Sequence, residues 1–195
     1  MSNQNTGKTT STEAADQDVV TVLLEQHALI KTRFTQVKHA AEGKDRTAAL
    51  RELVQLLVAH EIAEQEVVHP AVKRLRTTSA AMVDERLHEE SEAERLLAQL
   101  DRMDTGTPLF LDSLESLRKA VVAHADAEEQ NEFPLLRRAC TKEELAKMAR
   151  AVRGAELIAP THPHPDLGAA SANVLTGTPV ALADRIRDAL RPHQD

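Results

Sequence analysis

The sequence holds one cysteine, three phenylalanines (Phe34, Phe110, Phe133) and no tyrosine or tryptophan in 195 residues. A single cysteine, Cys140, makes neither an intramolecular disulfide nor a thiolate metal cluster. Aromatic residues are enriched in strands, so their scarcity argues against a β-sandwich or barrel. It also excludes tyrosyl and tryptophanyl radical chemistry. No run of about 18 apolar residues is present, so no membrane span is expected. Residues 1–16 are polar and lack the apolar core of a signal peptide, which predicts a cytoplasmic protein with no membrane partner. Basic residues are in the minority: 24 Lys and Arg stand against 31 Asp and Glu, a formal charge of -7. A nucleic-acid binder normally carries net basic charge or a dense basic stripe. The small clusters Lys73, Arg74, Arg76 and Arg137, Arg138 read instead as solvated helix faces. No nucleic-acid partner is expected, and the chain reads as a monomer or weak homodimer.

Helical periodicity dominates what is there. After the tail, Val20, Leu23, His27, Ile30, Phe34, Val37 and Ala41 recur at spacings of three and four. A break at Glu42-Gly43-Lys44-Asp45 precedes a second stripe of Leu50, Leu53, Leu57, His60, Glu64, Val67, Ala71 and Leu75. Pro70 lies inside that stripe and should kink it or loosen its last turns. Thr77, Thr78 and Ser79 supply a turn. A third helix is expected over about 80–103, its face marked by Ala81, His88, Glu92, Leu96 and Met103. A turn carrying Gly106 and Pro108 leads to a fourth stripe of Leu114, Leu117, Val121, His124, Glu128 and Leu135. A capping box, Thr141 with Glu144, opens a fifth helix that fades near Ile158. Residues 160–179 are rich in Pro, Gly, Ala and Ser and read as irregular, with a last short helix after them. Four long helices with short connections predict an all-α, up-down-up-down four-helix bundle with extra C-terminal helices. The division expected is a disordered tail over 1–16, the bundle over 17–140 and the C-terminal part over 141–195.

Each long helix carries ionisable groups in its apolar stripe: His27; His60 with Glu64; His88 with Glu92; His124 with Glu128. Residues four apart share a helix face. Buried carboxylates cost several kcal/mol unless they are paired or bind a metal. The heights agree as well. The midpoint between His27 and His60 falls beside Gly43, and that between His88 and His124 falls on Gly106, the glycines of the two predicted turns. The histidines should therefore converge on one level. There is also an internal repeat: His60-xxx-Glu64 and His124-xxx-Glu128 are each followed by a proline, Pro70 and Pro134, ten residues after the histidine. Two similar halves predict two metal ions, with Glu64 and Glu128 as bridges. Imidazole and carboxylate without thiolate suit iron, manganese or zinc.

These residues, in HEIAEQEVVHP and HADAEEQNEFP, resemble the hemerythrin HHE cation-binding domain over about residues 17–140. The resemblance implies a four-helix bundle around two iron ions, a non-haem di-iron centre with an oxo or hydroxo bridge, manganese being the alternative metal. It implies ligands at His27, His60, Glu64, His88, His124 and Glu128. Two departures from the oxygen-carrying hemerythrins stand out. Their third helix has His-xxx-His where this chain has Glu92 in the second place. Their fourth has His-xxxx-Asp, where this chain has His124-xxx-Glu128, with Glu129 at the longer spacing. A site poorer in histidine favours ferric iron and argues against reversible oxygen carriage. Glu92 could ligate, support an imidazole or move a proton in catalysis, and Glu61 could supply a further ligand. Glu129 reads as a solvated neighbour, His69 as packing, and His39 and His193 as surface residues. His162 and His164 read as loop residues.

The function this implies is a di-iron protein that reacts with hydrogen peroxide or oxygen, catalase-like, in oxidative-stress defence. An oxygen, nitric oxide or iron sensing module is the alternative, and a di-iron oxidase of an organic substrate the second. The C-terminal THPHPDLGAASANVLTGTP resembles tails of actinobacterial members.

Overall fold

The computed structural model describes residues 17–75 and 77–156. The expected tail at 1–16, the irregular stretch at 160–179 and the last short helix lie outside the described residues, as do His162, His164 and His193. Helix α1 spans Val19–His39. It starts where the Asp18 carboxylate accepts the Thr21 N–H at 2.8 Å, satisfying one of the free donors of the first turn. Gly43, at φ +88°, takes a left-handed conformation that side chains disfavour, and so turns the chain into α2, Lys44–Ala63. A π-helical turn, Glu64–Val68, follows, and α3, His69–Leu75, continues from it. Helix α4 spans Thr77–Asp101. Thr107 caps α5, Pro108–Ala139, with Pro108 in the first turn, where its missing N–H costs nothing. Helix α6 spans Lys142–Glu156. The expected capping box is present: the Thr141 N–H donates to Glu144 at 2.7 Å and the Glu144 N–H to the Thr141 hydroxyl at 3.2 Å.

Helices α1, α2, α4 and α5 form the up-down-up-down bundle, each packed on its chain neighbours, with α5 closing back on α1. Helix α6 lies against α1, α2 and the π turn. The apolar core is in two pieces. One, around Phe34, Leu53, Leu57, Leu97, Phe110 and Leu117, fills the end near the Gly43 and Gly106 turns. The other, around Val19, Leu23, Val68, Val72, Phe133, Leu136 and Val152, fills the opposite end under α6. A layer of buried polar side chains lies between them.

Pro70 was expected to kink or loosen its helix, and its effect falls one turn earlier. Proline gives no N–H and crowds the carbonyl four residues back. The chain answers with the wider π turn, in which the His69 N–H donates to the Glu64 carbonyl five residues away. Pro134 sits inside α5 without interrupting it.

The third helix is rotated from the expected face. Its buried stripe is Val83, Arg86, Glu90, Ala93, Leu97 and Leu100, at alternating spacings of three and four. Ala81, His88, Glu92 and Leu96, read as the inward face, are exposed. Burial of Val83, Leu97 and Leu100 fixes the rotation, and the histidine has no influence on it.

Candidate metal centre

Two groups of buried donors meet in the polar layer. His27, His60, Glu64 and Glu128 bring one ligand atom each to within 4.8 Å of one another, and so do Glu64, His69, Glu90 and Glu128. Glu64 and Glu128 belong to both. The His27 and His60 rings stand edge to face with centroids 5.0 Å apart. His124 Nε2 borders the second group, 3.4 Å from Glu128 and 3.8 Å from Glu90.

Four histidines are held in one manner. The Nδ1–H of His27 donates to Glu129 at 2.9 Å, and that of His60 to Gln26 at 2.8 Å. The Nδ1–H of His69 donates to Glu132 at 3.3 Å, and that of His124 to Glu89 at 3.1 Å. In each, the outer acceptor fixes the ring and leaves Nε2 facing inward, toward Glu64 or Glu128 for His27, His60 and His124 and toward Glu90 for His69, the usual support of a metal-binding imidazole.

The buried polar atoms left without a hydrogen bond fit a cation. They include His27 Nε2, His124 Nε2 and both carboxylate oxygens of Glu64 and of Glu128. Six polar atoms of imidazole and carboxylate, left unpaired in an apolar interior, cost several kcal/mol unless shared charge, a proton or a metal ion, answers them. The titration behaviour shows the same tension. Burial pushes Glu64 well above the usual carboxylate range, and the Glu128 charge adds to it. Burial also pushes Glu128 up, but the His124 imidazolium overrides this and holds it below its ordinary value. Burial, aided by His27, drives His60 down to about 3. For His124 burial is outweighed by Glu128 and Glu64, and its value rises to about 10.

Of the residues singled out from the sequence, His27, His60, Glu64, His124 and Glu128 come together. Glu61 lies half-buried in the wall of an adjoining cavity, outside both donor groups. His88 and Glu92 are corrected: they pair with each other at 3.6 Å on the outer surface, with side chains 69% and 59% exposed. Helix α4 presents Glu90 to the centre, two residues on from His88. Glu129, read as a solvated neighbour, orients His27, and His69, read as packing, lies inside the second donor group. His39 is exposed as expected. Cys140 ends α5 as its C-cap, and part-burial, with Glu144 nearby, raises its thiol pKa, which disfavours the nucleophilic thiolate.

A signal for Glu90 was present in the sequence. His27 and Glu90 are 63 residues apart, and so are Gln26 and Glu89, while His60 and His124 are 64 apart. Extending the repeat to the first helix of each hairpin therefore points to Glu90.

A cavity of about 20 Å³ adjoins the donors, lined by His27, His60, Glu61, Glu90 and His124 and by apolar Ile30, Leu57, Ala93 and Val121. That is room for one water-sized guest.

A helical bundle whose core holds inward histidines and shared glutamates is the architecture of a cation-binding four-helix protein. The family model of the hemerythrin HHE cation binding domain matches residues 18–136, and the chain belongs to that family. An uncharacterized hemerythrin-like protein of Schizosaccharomyces pombe is 24% identical over 168 residues, which span 85% of this chain and 83% of that protein. A DNA nickase of Nostoc sp. is 24% identical over 148 residues, 76% of this chain but 42% of the nickase. The crystal structure of a hemerythrin HHE cation binding domain-containing protein from Mycobacterium kansasii shares the fold. Its TM-score is 0.64 at 23% identity, over 89% of this chain and 99% of that one. Among the described residues no helix is long and apolar enough to cross a membrane.

Proposed function

We propose that the chain is a non-haem di-iron protein that reacts with hydrogen peroxide or oxygen, catalase-like, as oxidative-stress defence. The observation that carries this reading is that two adjacent donor groups share Glu64 and Glu128. His27 and His60 would hold one ion and Glu90 and His124 the other, with the two shared glutamates between them. Imidazole and carboxylate donors suit iron, with manganese the alternative. Iron bound there would supply a redox partner and a Lewis acid.

The chain supplies the rest. The cavity admits a small guest, which favours peroxide or a diatomic molecule over an organic substrate. Glu61 and Glu90 are the carboxyls at its wall, and of the two Glu61 lies outside both donor groups. Burial, with Glu90 and Glu94 nearby, raises its pKa well above the usual range, which favours its protonated form beside the guest. The proton-moving role expected of Glu92 therefore passes to Glu61, because Glu92 faces solvent. Ile30, Leu57 and Val121 keep bulk water from the same space.

Metal analysis and optical spectroscopy of protein made in iron-rich medium test this. Two irons per chain are expected, with charge-transfer bands standing clear because the chain has no tyrosine or tryptophan. Hydrogen peroxide should give rapid oxygen evolution that is lost in His60→Ala. One zinc per chain, or no metal, overturns the di-iron reading. A stable nitrosyl or oxygen adduct with slow turnover would favour the sensing module.

A further inference from the structure

We propose that His69 is a fourth imidazole ligand of the centre, held by Glu132, so that the second ion takes a histidine from α3 where α4 offers Glu90. The proposal rests on the two-ion reading above and assigns donors within it.

The two halves of the chain differ at one place. His60, Glu64 and His69 fall 64 residues before His124, Glu128 and Phe133. Phe133 stacks on the His27 ring, centroids 5.5 Å apart, and closes the centre with an apolar face. Its counterpart His69 instead brings a nitrogen to the second donor group. The π turn makes this reach: it sets His69 one wide turn beyond Glu64, on the same face.

His69 is also built like the other three histidines. Its Nδ1–H is held by an outer carboxylate, Glu132, and its Nε2 turns inward, here pairing with Glu90. A histidine serving only to pack would need neither partner; buried carboxylates on both ring nitrogens call for positive charge there, a proton when the centre is stripped and a metal ion at Nε2 when it is loaded. The helices have thus exchanged donors. Where α1 offers His27, α4 offers Glu90, and the histidine this removes from the second half is returned by α3.

Cobalt(II) titration of the metal-stripped full chain, with chelator competition for affinity, tests the assignment. Proton spectra of the loaded protein then count the paramagnetically shifted ring N–H signals. Wild type should bind two ions and show four such signals, one from each Nδ1–H. His69→Phe copies the other half of the repeat. It should keep the first ion within twofold, weaken the second about 10- to 100-fold or more, and show three signals when loaded at high cobalt. His69→Gln, which keeps a polar side chain if the phenylalanine variant does not fold, should show the same loss. Glu132→Leu should weaken the second ion less than His69→Phe does. Two ions bound at wild-type affinity in the folded His69 variant, with the signal count unchanged, overturn the role of His69. Fewer than two ions in wild type overturns the two-ion reading itself, and the assignment with it.

Discussion

His69 and Phe133 occupy equivalent places, each five residues beyond a shared glutamate, yet one joins the donors and the other covers them. The centre is therefore asymmetric although the chain repeats. One side is closed by an aromatic ring over His27. The other is built from Glu90, His69, Glu132 and His124, and it is richer in carboxylate. Carboxylate donors favour the higher-charged, harder ion. If two ions are bound as proposed, the unequal halves would hold them unequally.

Glu64→Gln should separate binding from folding. Glu64 belongs to both donor groups, so the substitution should weaken both ions, on the order of a hundredfold. In the metal-stripped protein burial and the Glu128 charge raise the Glu64 pKa, which favours the neutral form that glutamine matches. Stability without metal should change by less than about 1 kcal/mol. Metal titration and denaturant unfolding of one preparation check both halves of the expectation. Loss of a single ion would contradict the shared role.

His88→Ala and Glu90→Gln form a second test, set only two residues apart. His88 is exposed, so its loss should leave metal content unchanged and stability within about 0.5 kcal/mol. Glu90 is buried in the second group alone, so its neutralisation should remove or weaken one ion and spare the other. Metal-to-protein ratios after dialysis decide. An ion lost from the His88 variant would put the imidazole back in the centre.

The sequence carried the bundle because helix periodicity and turn chemistry agree: Gly43, Gly106 and the Thr141–Glu144 box stand where they were read. His27, His60, Glu64, His124 and Glu128 were legible for a related reason, since an ionisable group in an apolar stripe asks for a partner. His88 misled because it was allowed to set the phase of its helix. Val83, Leu97 and Leu100 set it, and they point to Glu90. His69 was hidden for a different reason. Ordinary 3.6-residue geometry turns it away from Glu64, and only the extra residue of the π turn brings it back.

Arg46 offers a prediction about the fold away from the centre. Its guanidinium is buried and donates to the Thr105 carbonyl at 2.9 Å and to the Ala40 carbonyl at 3.2 Å. It thereby ties the end of α1 to the turn before α5. Hydrogen bonds from a charged donor contribute roughly 1.5–3 kcal/mol, so Arg46→Ala should cost about 2 kcal/mol. Urea unfolding should show a lower midpoint, with metal stoichiometry unchanged. A loss below about 0.5 kcal/mol would mean that water replaces the guanidinium without penalty.

The stability of the metal-stripped protein should fall as pH rises from 7 to 9. His124 has its pKa raised from 6.5 to about 10, and His69 is raised well above 6.5; in both, burial is outweighed by neighbouring carboxylates. Each keeps a proton in the folded chain that the unfolded chain releases near 6.5. The stability they contribute is complete below that pH and is lost as pH climbs through the folded values. Glu64 and Glu61, raised by burial, act with the same sign from 4.5 upward. His60, pushed down to about 3, works in the opposite sense, but only below 6.5. Cations displace the protons from the donors they bind, so the stabilisation gained on loading should grow over the same interval. Thermal melts at pH 7, 8 and 9, with chelator and with metal, measure both curves. A metal-stripped melting temperature that stays level or rises toward pH 9 would show that these buried groups do not carry the protons assigned to them.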